Sequence, residues 1–321
     1  MVLHRRPAGL IRYAHAVRSG KNQIAALLAN LPLGSDVRHA APEWECSLLL
    51  EVSCGTGSTW SRHVVYTLGG FTMRVLLPRR NAQKSEQERP VSPRPPPVPP
   101  DLKRGECVEW RLDLRSETHQ QALLELVLNI SIPVNVKLAH LHTSPRCTFA
   151  SKMMNIAESQ AADLEPRMRE GIVVLRFCRE LHQVWRQRRF RSGVQASASH
   201  EQSAGCSTAR ALRLLPSSFT QGIDKSFPLA IASKAPRFVV RACSVGAQTN
   251  GKPWNKCWTF ETTNPLMKQF LKTKTKCTCG RPKHENIKVI KERGQNAVIA
   301  SQSEVYPNTF GAMLAASIAH I

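Results

Sequence analysis

Runs of apolar residues, and the spacing between them, divide this chain into segments of unlike character. Trp44–Cys54 carries Leu48, Leu49, Leu50 and Val52, and Val64–Tyr66 and Phe71–Leu77 follow. Aliphatic, aromatic and β-branched runs of this length favour strands, and Gly69-Gly70 between the last two predicts a hairpin turn. The Gly-rich run Ser53–Thr59 reads as a further turn between strands. From Cys107 to Leu114 the pattern alternates, with Val108, Trp110, Leu112 and Leu114 on one face and Glu109, Arg111 and Asp113 on the other. A half-buried strand requires that period. Ser116, with His119 and Gln120 behind it, predicts a helix start leading into Ala122–Leu128. Ile130–Leu138 predicts another strand, broken by Pro133.

The period then becomes helical. Ser151–Leu164 predicts a helix, and Glu165–Arg191 predicts a longer one. Val174, Cys178, Leu181 and Trp185 form its apolar seam, and Pro166 suits a first turn. Arg176, Arg179, Arg186, Arg188, Arg189 and Arg191 load its flanks and C-terminal end, where cations complement the helix dipole. Arg237–Cys243 predicts a strand, and the apolar Ala312–Ile321 a short terminal element.

Two stretches lack either period. Pro90–Pro100 contains seven prolines. Proline has no N–H to donate to a helix or sheet interior, so the stretch predicts extended polyproline II. Pro93-Arg94-Pro95-Pro96 within it offers a docking segment for an aromatic-lined groove on a protein partner. Residues 192–223 are rich in Ser, Ala, Gly and Gln and predict a flexible connection. The expected organisation is therefore α+β. A presequence-like basic segment (1–36) precedes a small β-rich N-terminal unit (37–78). A Pro-rich linker (79–105) leads to a mixed α+β domain with the basic amphipathic helix (106–191). A flexible linker (192–223) leads to a basic, partly disordered C-terminal segment (224–321).

Charge changes the picture from fold to partner. Lys and Arg number 45 against 23 Asp and Glu, a formal net charge of +22. An excess of this size draws a protein toward polyanions, with RNA the leading candidate. Aromatic residues make up only 6% of the chain, which favours phosphate contacts over base stacking. The arginines of 165–191 are the first expected contact. The second is Lys272, Lys274 and Lys276 within the Lys252–Lys291 region, where Trp254, Trp258 and Phe260 are interspersed. No run approaches 18 apolar residues, so no transmembrane helix is expected. The first acidic residue is Asp36, preceded by Arg5, Arg6, Arg12, Arg18 and Lys21. An Arg-rich, acid-poor start of this kind fits a mitochondrial presequence, giving the matrix as the expected location and the cytoplasm as its alternative.

Catalytic signatures are sparse. The Gly-rich run lacks the Gly-Lys-Ser/Thr ending of a phosphate loop. There is no Gly-x-Ser-x-Gly and no His-Glu-x-x-His, and the eleven histidines are scattered. The reading is non-enzymatic. Ten cysteines in a long chain predict mostly free thiols. The densest local pattern is Cys277-Thr278-Cys279-Gly280 followed by His284. Cys277, Cys279 and His284 supply three zinc ligands, with Cys257 as the expected fourth. The spacing is Cys-x-Cys rather than the Cys-x-x-Cys common in structural zinc sites.

Cys277-Thr278-Cys279-Gly280, His284 and the later Tyr306-Pro307-Asn308-Thr309-Phe310-Gly311 also stand in the order of two motifs at the extreme N-terminus of melastatin-type transient receptor potential channels. Residues 258–311 resemble that segment. They depart from it in an early His284 and in a second motif lacking one residue and its Asp. The channel region that follows in the family has no counterpart here. The resemblance implies a truncated cytosolic fragment that serves as a protein-interaction scaffold, the alternative to a mitochondrial RNA- or ribosome-associated protein.

Overall fold

A computed structural model describes residues 45–53, 58–77, 96–145, 161–203, 235–249, 251–277, 279, 284, 291–292, 295–296 and 306–319. The presequence-like segment, most of the Pro-rich linker and residues 151–160 of the helix expected over Ser151–Leu164 lie outside the described residues, as do residues 204–234.

The protein is α+β, built on a seven-stranded mixed sheet. The strands are β1 (Cys46–Val52), β2 (Phe71–Leu76), β3 (Cys107–Arg111), β4 (Val136–Thr143), β5 (Gln195–Ser203), β6 (Arg237–Arg241) and β9 (Cys257–Thr262), in the order β3-β2-β1-β4-β5-β9-β6. The short strands β7 (Gln248–Thr249) and β8 (Lys252–Pro253) form a separate ladder, as do β10 (Lys291–Glu292) and β11 (Gln295–Asn296). Strands β3, β2, β1, β4 and β5 run parallel, and β9 is antiparallel to both β5 and β6. Helices α1 (Thr59–Tyr66), α2 (Glu117–Asn129) and α3 (Ala161–Gln187) cross between parallel strands, and α4 (Pro265–Thr273) and α5 (Asn308–Ser317) follow β9. Parallel neighbours need such crossovers, because a tight turn joins only antiparallel strands.

This connection rule overturns the hairpin expected at 64–77. Leu48 pairs with Phe71 in parallel register, so the chain must return to the start of β2. Val64–Tyr66 belongs to the returning helix α1. Ser58 caps that helix, its hydroxyl accepting from the Ser61 N–H at 3.2 Å. Trp60 and Val64, four residues apart, bury one face of it with Leu68 just beyond. The Gly-Gly pair ends the helix instead of turning a hairpin: Gly69 adopts a positive φ of 58°. Gly70 passes so close to β1 that an added Cβ would stand 2.6 Å from the Ser47 carbonyl oxygen. The Gly-rich run therefore joins a strand to a helix, not two strands.

The sheet separates two cores. Leu48, Leu50 and Val52 of β1 face one, with Met73, Val75, Trp110, the apolar seam of α3 and Leu123, Leu124 and Val127 of α2. Leu49 faces the other, with Trp60, Trp258, Phe260, Met267, Phe270, Leu271 and Phe310 from α1, β9, α4 and α5. Burial on both faces explains the unbroken Leu48–Leu50 run.

Four other expectations are met differently. Strand β4 begins at Val136, beyond Pro133, and continues to Thr143. Helix α3 begins at Ala161, ahead of Glu165, so Pro166 lies inside it. The alternating run ends as strand at Arg111, although Leu112 and Leu114 remain buried. The expected linker 192–223 contains β5, a strand between β4 and β9. Its sequence QASASHEQS lacks an apolar stripe because polar partners across the sheet replace one. Ser197 and Ser199 hydrogen-bond His140 at 2.7 and 2.8 Å, and His200 bonds Thr143 at 2.9 Å. Helix α2 starts where the sequence predicts, with Ser116 at its N-cap, and β6 takes Arg237–Arg241 of the strand predicted over Arg237–Cys243, the last two residues entering a 3-10 turn.

Candidate metal centre

Strand β6 runs into a single 3-10 turn over Ala242–Val245, closed by Gly246 at a positive φ of 82°. The turn is tied on both sides. The Arg241 N–H donates to the Lys274 carbonyl at 3.0 Å, and the Ser244 hydroxyl lies 2.8 Å from the same oxygen. That carbonyl belongs to the C-cap of α4, one of the groups a helix end leaves unsatisfied. Thr309 of α5 donates to the Val245 carbonyl at 2.9 Å from the other side. Helix α4 is itself fixed by an Asn264 cap and by Met267, Phe270 and Leu271 in the core. Pinning the end of α4 to the turn brings Cys277, three residues past Lys274, alongside Cys243.

Cys243, Cys277, Cys279 and His284 form a group that could hold a metal ion, their ligand atoms all lying within 4.8 Å of one another. Cys277 Sγ and His284 Nε2 are 3.3 Å apart, and Cys279 Sγ lies 4.0 Å from the Cys243 carbonyl. Tetrahedral zinc, with bonds of about 2.3 Å to sulfur and about 2.0 Å to nitrogen, separates its ligand atoms by about 3.5–3.8 Å. The separations, 3.3 Å for Cys277 to His284 and up to 4.8 Å across the group, differ from that geometry by about 1 Å or less. Burial pushes the Cys243 thiol up to about 12, and the hydrogen-bonded sulfurs of Cys277 and Cys279 add to the shift. The Cys277 thiol is held below its usual range, chiefly by the Cys279 backbone N–H and then by the Cys243 and Cys279 thiols.

Three of the four expected ligands come together, and the fourth is corrected. Cys257 opens β9 opposite Arg241 and is not part of the group. Cys243 takes its place. Nothing in its local sequence marks Cys243 as a ligand, because it reaches the site through the pairing of β6 with β9 and the anchoring of α4.

The expected phosphate contacts divide into two kinds. Arg186 and Arg189 are exposed at the end of α3, and Lys272 and Lys276 at the end of α4. Arg188 and Arg191 are structural. The Arg188 guanidinium donates to the Val127 carbonyl at 2.5 Å and to the Ile130 carbonyl, closing the C-terminus of α2. Burial lowers its pKa. Arg191 donates to the carbonyls of Pro133, Val134 and Val136, fixing the approach to β4. Arg176 is half-buried, and both it and Arg179 have partners of their own. Lys274 is half-buried with its ammonium 5.9 Å from the Phe270 ring centre, and burial lowers its pKa. Helices α3 and α4 pack in different cores, so the sheet stands between the two basic arrays.

The scattered histidines also gather. His140 and His142 lie on the α1 face, their rings tilted against Trp60 with centroids 5.3 and 4.8 Å away. His182 and His200 lie on the α3 face, both bonded to the Thr143 hydroxyl at 2.8 and 2.9 Å. All four are fully buried, and burial drives their pKa values down, to about 3 for His142 and His182. They form two hydrogen-bonded pairs, one on each face of the sheet, bridged by the Ser199 and Thr143 hydroxyls.

No helix among the described residues is long and apolar enough to cross a membrane. No protein-family model matches this chain, and no curated protein matches it.

Proposed function

We propose that this protein is a non-enzymatic RNA-binding protein in which a structural zinc, held by Cys243, Cys277, Cys279 and His284, fixes a lysine-bearing turn as a phosphate contact. The observation that carries the reading is the juxtaposition of that metal-ligating group with exposed Lys272 and Lys276, in a chain of net charge +22. The ligand set is the Cys3His type used in structural zinc sites. A divalent ion there would tie the exit of α4 to the turn after β6, and would hold the lysines at a constant spacing from the domain. Arg186 and Arg189 supply a second contact on the opposite side of the sheet. The basic, acid-poor start supports a mitochondrial setting and a ribosome- or RNA-associated role.

The test is RNA binding by fluorescence anisotropy across a salt series, using a labelled single strand and metal-loaded protein. Each phosphate contact removed should lower the slope of log K against log salt by about 0.7. The pair Lys272→Gln and Lys276→Gln, and separately Arg186→Gln and Arg189→Gln, should each flatten the slope by about 1.4. A slope unchanged by both pairs sinks the reading. The absence of crosslinked RNA from the full-length protein in cells would sink it too.

A second reading follows from the two channel-like motifs. The turn that carries Cys243 is hydrogen-bonded to Thr309 of the second motif, and Gly246 sits 3.2 Å from Thr309 Oγ1, measured from a Cβ built on the glycine. This adjacency favours a melastatin-related scaffold fragment that works through protein contacts. It requires a cytosolic or cell-surface location without bound RNA, which imaging of the tagged protein decides.

A further inference from the structure

We infer that the Cys243–Cys277–Cys279–His284 group is a redox-sensitive metal centre, in which a hydroperoxide joins Cys243 to Cys277 as a disulfide and expels the metal. The inference rests on the metal reading above and adds a modification site to it.

Access selects the cysteine that reacts. Among the described free cysteines, Cys277 alone is exposed, whereas Cys46 and Cys178 are buried in the core. Burial raises those two thiols to about 11 and about 12, which keeps them protonated and inert. Cys277 also has a partner at hand. The sulfurs of Cys243 and Cys279 lie within 4.8 Å, so an oxidised Cys277 is captured within its own site.

Geometry selects the partner. A bond between Cys277 and Cys279 would close a ring over one residue, Thr278, against the near-perpendicular dihedral that a disulfide prefers. Cys243 approaches from a separate element, and its sulfur lies within 4.8 Å of the Cys277 sulfur. A link from Cys243 to Cys277 also preserves the connection that the metal makes, because it joins the turn after β6 to the exit of α4.

The chemistry balances as follows. The Cys277 sulfur attacks the terminal peroxide oxygen, the O–O bond breaks, and a sulfenic acid and an alcohol, or water from hydrogen peroxide, are formed. The Cys243 sulfur then displaces hydroxide from that sulfenic sulfur. An S–S bond forms, and the hydroxide leaves as water. Two thiolates lose two electrons to the peroxide, and two protons come from solvent. The metal leaves as the divalent ion with its oxidation state unchanged, since Cys279 and His284 alone are a weak pair of ligands.

The experiment uses the full chain purified under reducing conditions and loaded with zinc. Bound zinc is measured first, and a chain that takes up no stoichiometric zinc refutes the metal reading before any oxidant is added. Hydrogen peroxide is then titrated in, with released zinc followed by a metallochromic dye and cysteine pairing by differential alkylation and peptide mass spectrometry. Zinc release should run in step with a Cys243–Cys277 disulfide, and dithiothreitol with added zinc should restore the loaded protein. Cys257→Ser should leave both curves unchanged. Cys243→Ser should lose the disulfide and leave a Cys277 sulfenic acid that dimedone labels. Zinc retained after oxidation would overturn the inference while leaving the metal reading intact. So would release without a disulfide, or a disulfide confined to Cys277 and Cys279.

Discussion

Replacing His182 with Gln tests the buried histidine pair on the α3 face. His182 Nε2 lies 2.8 Å from the Thr143 hydroxyl beneath α3, and burial, followed by the neighbouring His142, holds its pKa near 3. In the unfolded chain the same imidazole titrates near 6.5. A folded pKa below the unfolded one means that the unfolded state binds the proton first. The native contribution is therefore intact above about pH 6.5 and drains away as pH falls toward 3. Between pH 7 and pH 5 the loss for one such histidine is about 2 kcal/mol, from 1.36 kcal/mol per unit of separation. Other groups move the wild-type curve as well. Glu201 is half-buried beside Tyr306, desolvation raises its carboxyl to about 7, and it stabilises the fold in the opposite direction as the pH falls. That contribution is common to both proteins and cancels in their difference. The Gln amide still reaches the Thr143 hydroxyl but does not titrate. Urea unfolding of wild type and His182→Gln at half-unit steps from pH 7.5 to 5 should therefore give curves that converge or cross. The variant's relative stability should improve by about 2 kcal/mol at the acid end. Parallel curves would refute the reasoning, because they would mean that the imidazole is already charged, or solvated, in the native protein.

Two further substitutions separate structure from proposed function. Arg188→Gln strips the α2 C-terminus of its guanidinium cap and leaves the Val127 and Ile130 carbonyls short of donors. It should cost about 1–3 kcal/mol in denaturant unfolding without changing the salt slope of RNA binding. Gly70→Ala drives a methyl group against the Ser47 carbonyl of the central strand, backbone against backbone, and should destabilise by about 1–3 kcal/mol, read as a lowered Tm.

Elements with strong local signals were legible before folding. The alternation at 107–111, the Ser116 cap and the seam Val174–Trp185 each follow from a period that the chain carries by itself. So do the basic excess and three candidate metal ligands within eight residues, Cys277 to His284. What misled was local propensity where tertiary context prevailed. Val64 and Val65 are β-branched yet helical, because a parallel β1–β2 pair needs a crossover and Trp60 with Val64 supplies its buried face. Strand β5 reads as a polar linker because its stabilising partners, His140 and Thr143, lie more than fifty residues away in β4. Arg188 and Arg191 read as phosphate contacts because sequence records charge and not the carbonyls that a guanidinium reaches.

The sequence by itself determined the charge, the amphipathic helix and the Cys-x-Cys pair, since each depends on residues that are neighbours in the chain. Tertiary structure alone decided that Cys243 and not Cys257 completes the ligand group, that four scattered histidines pair up within the two faces of the sheet, and that the basic arrays lie on opposite sides of the sheet. Those relations depend on strand order and register, which arise from burying two apolar faces at once and leave no trace in any local period.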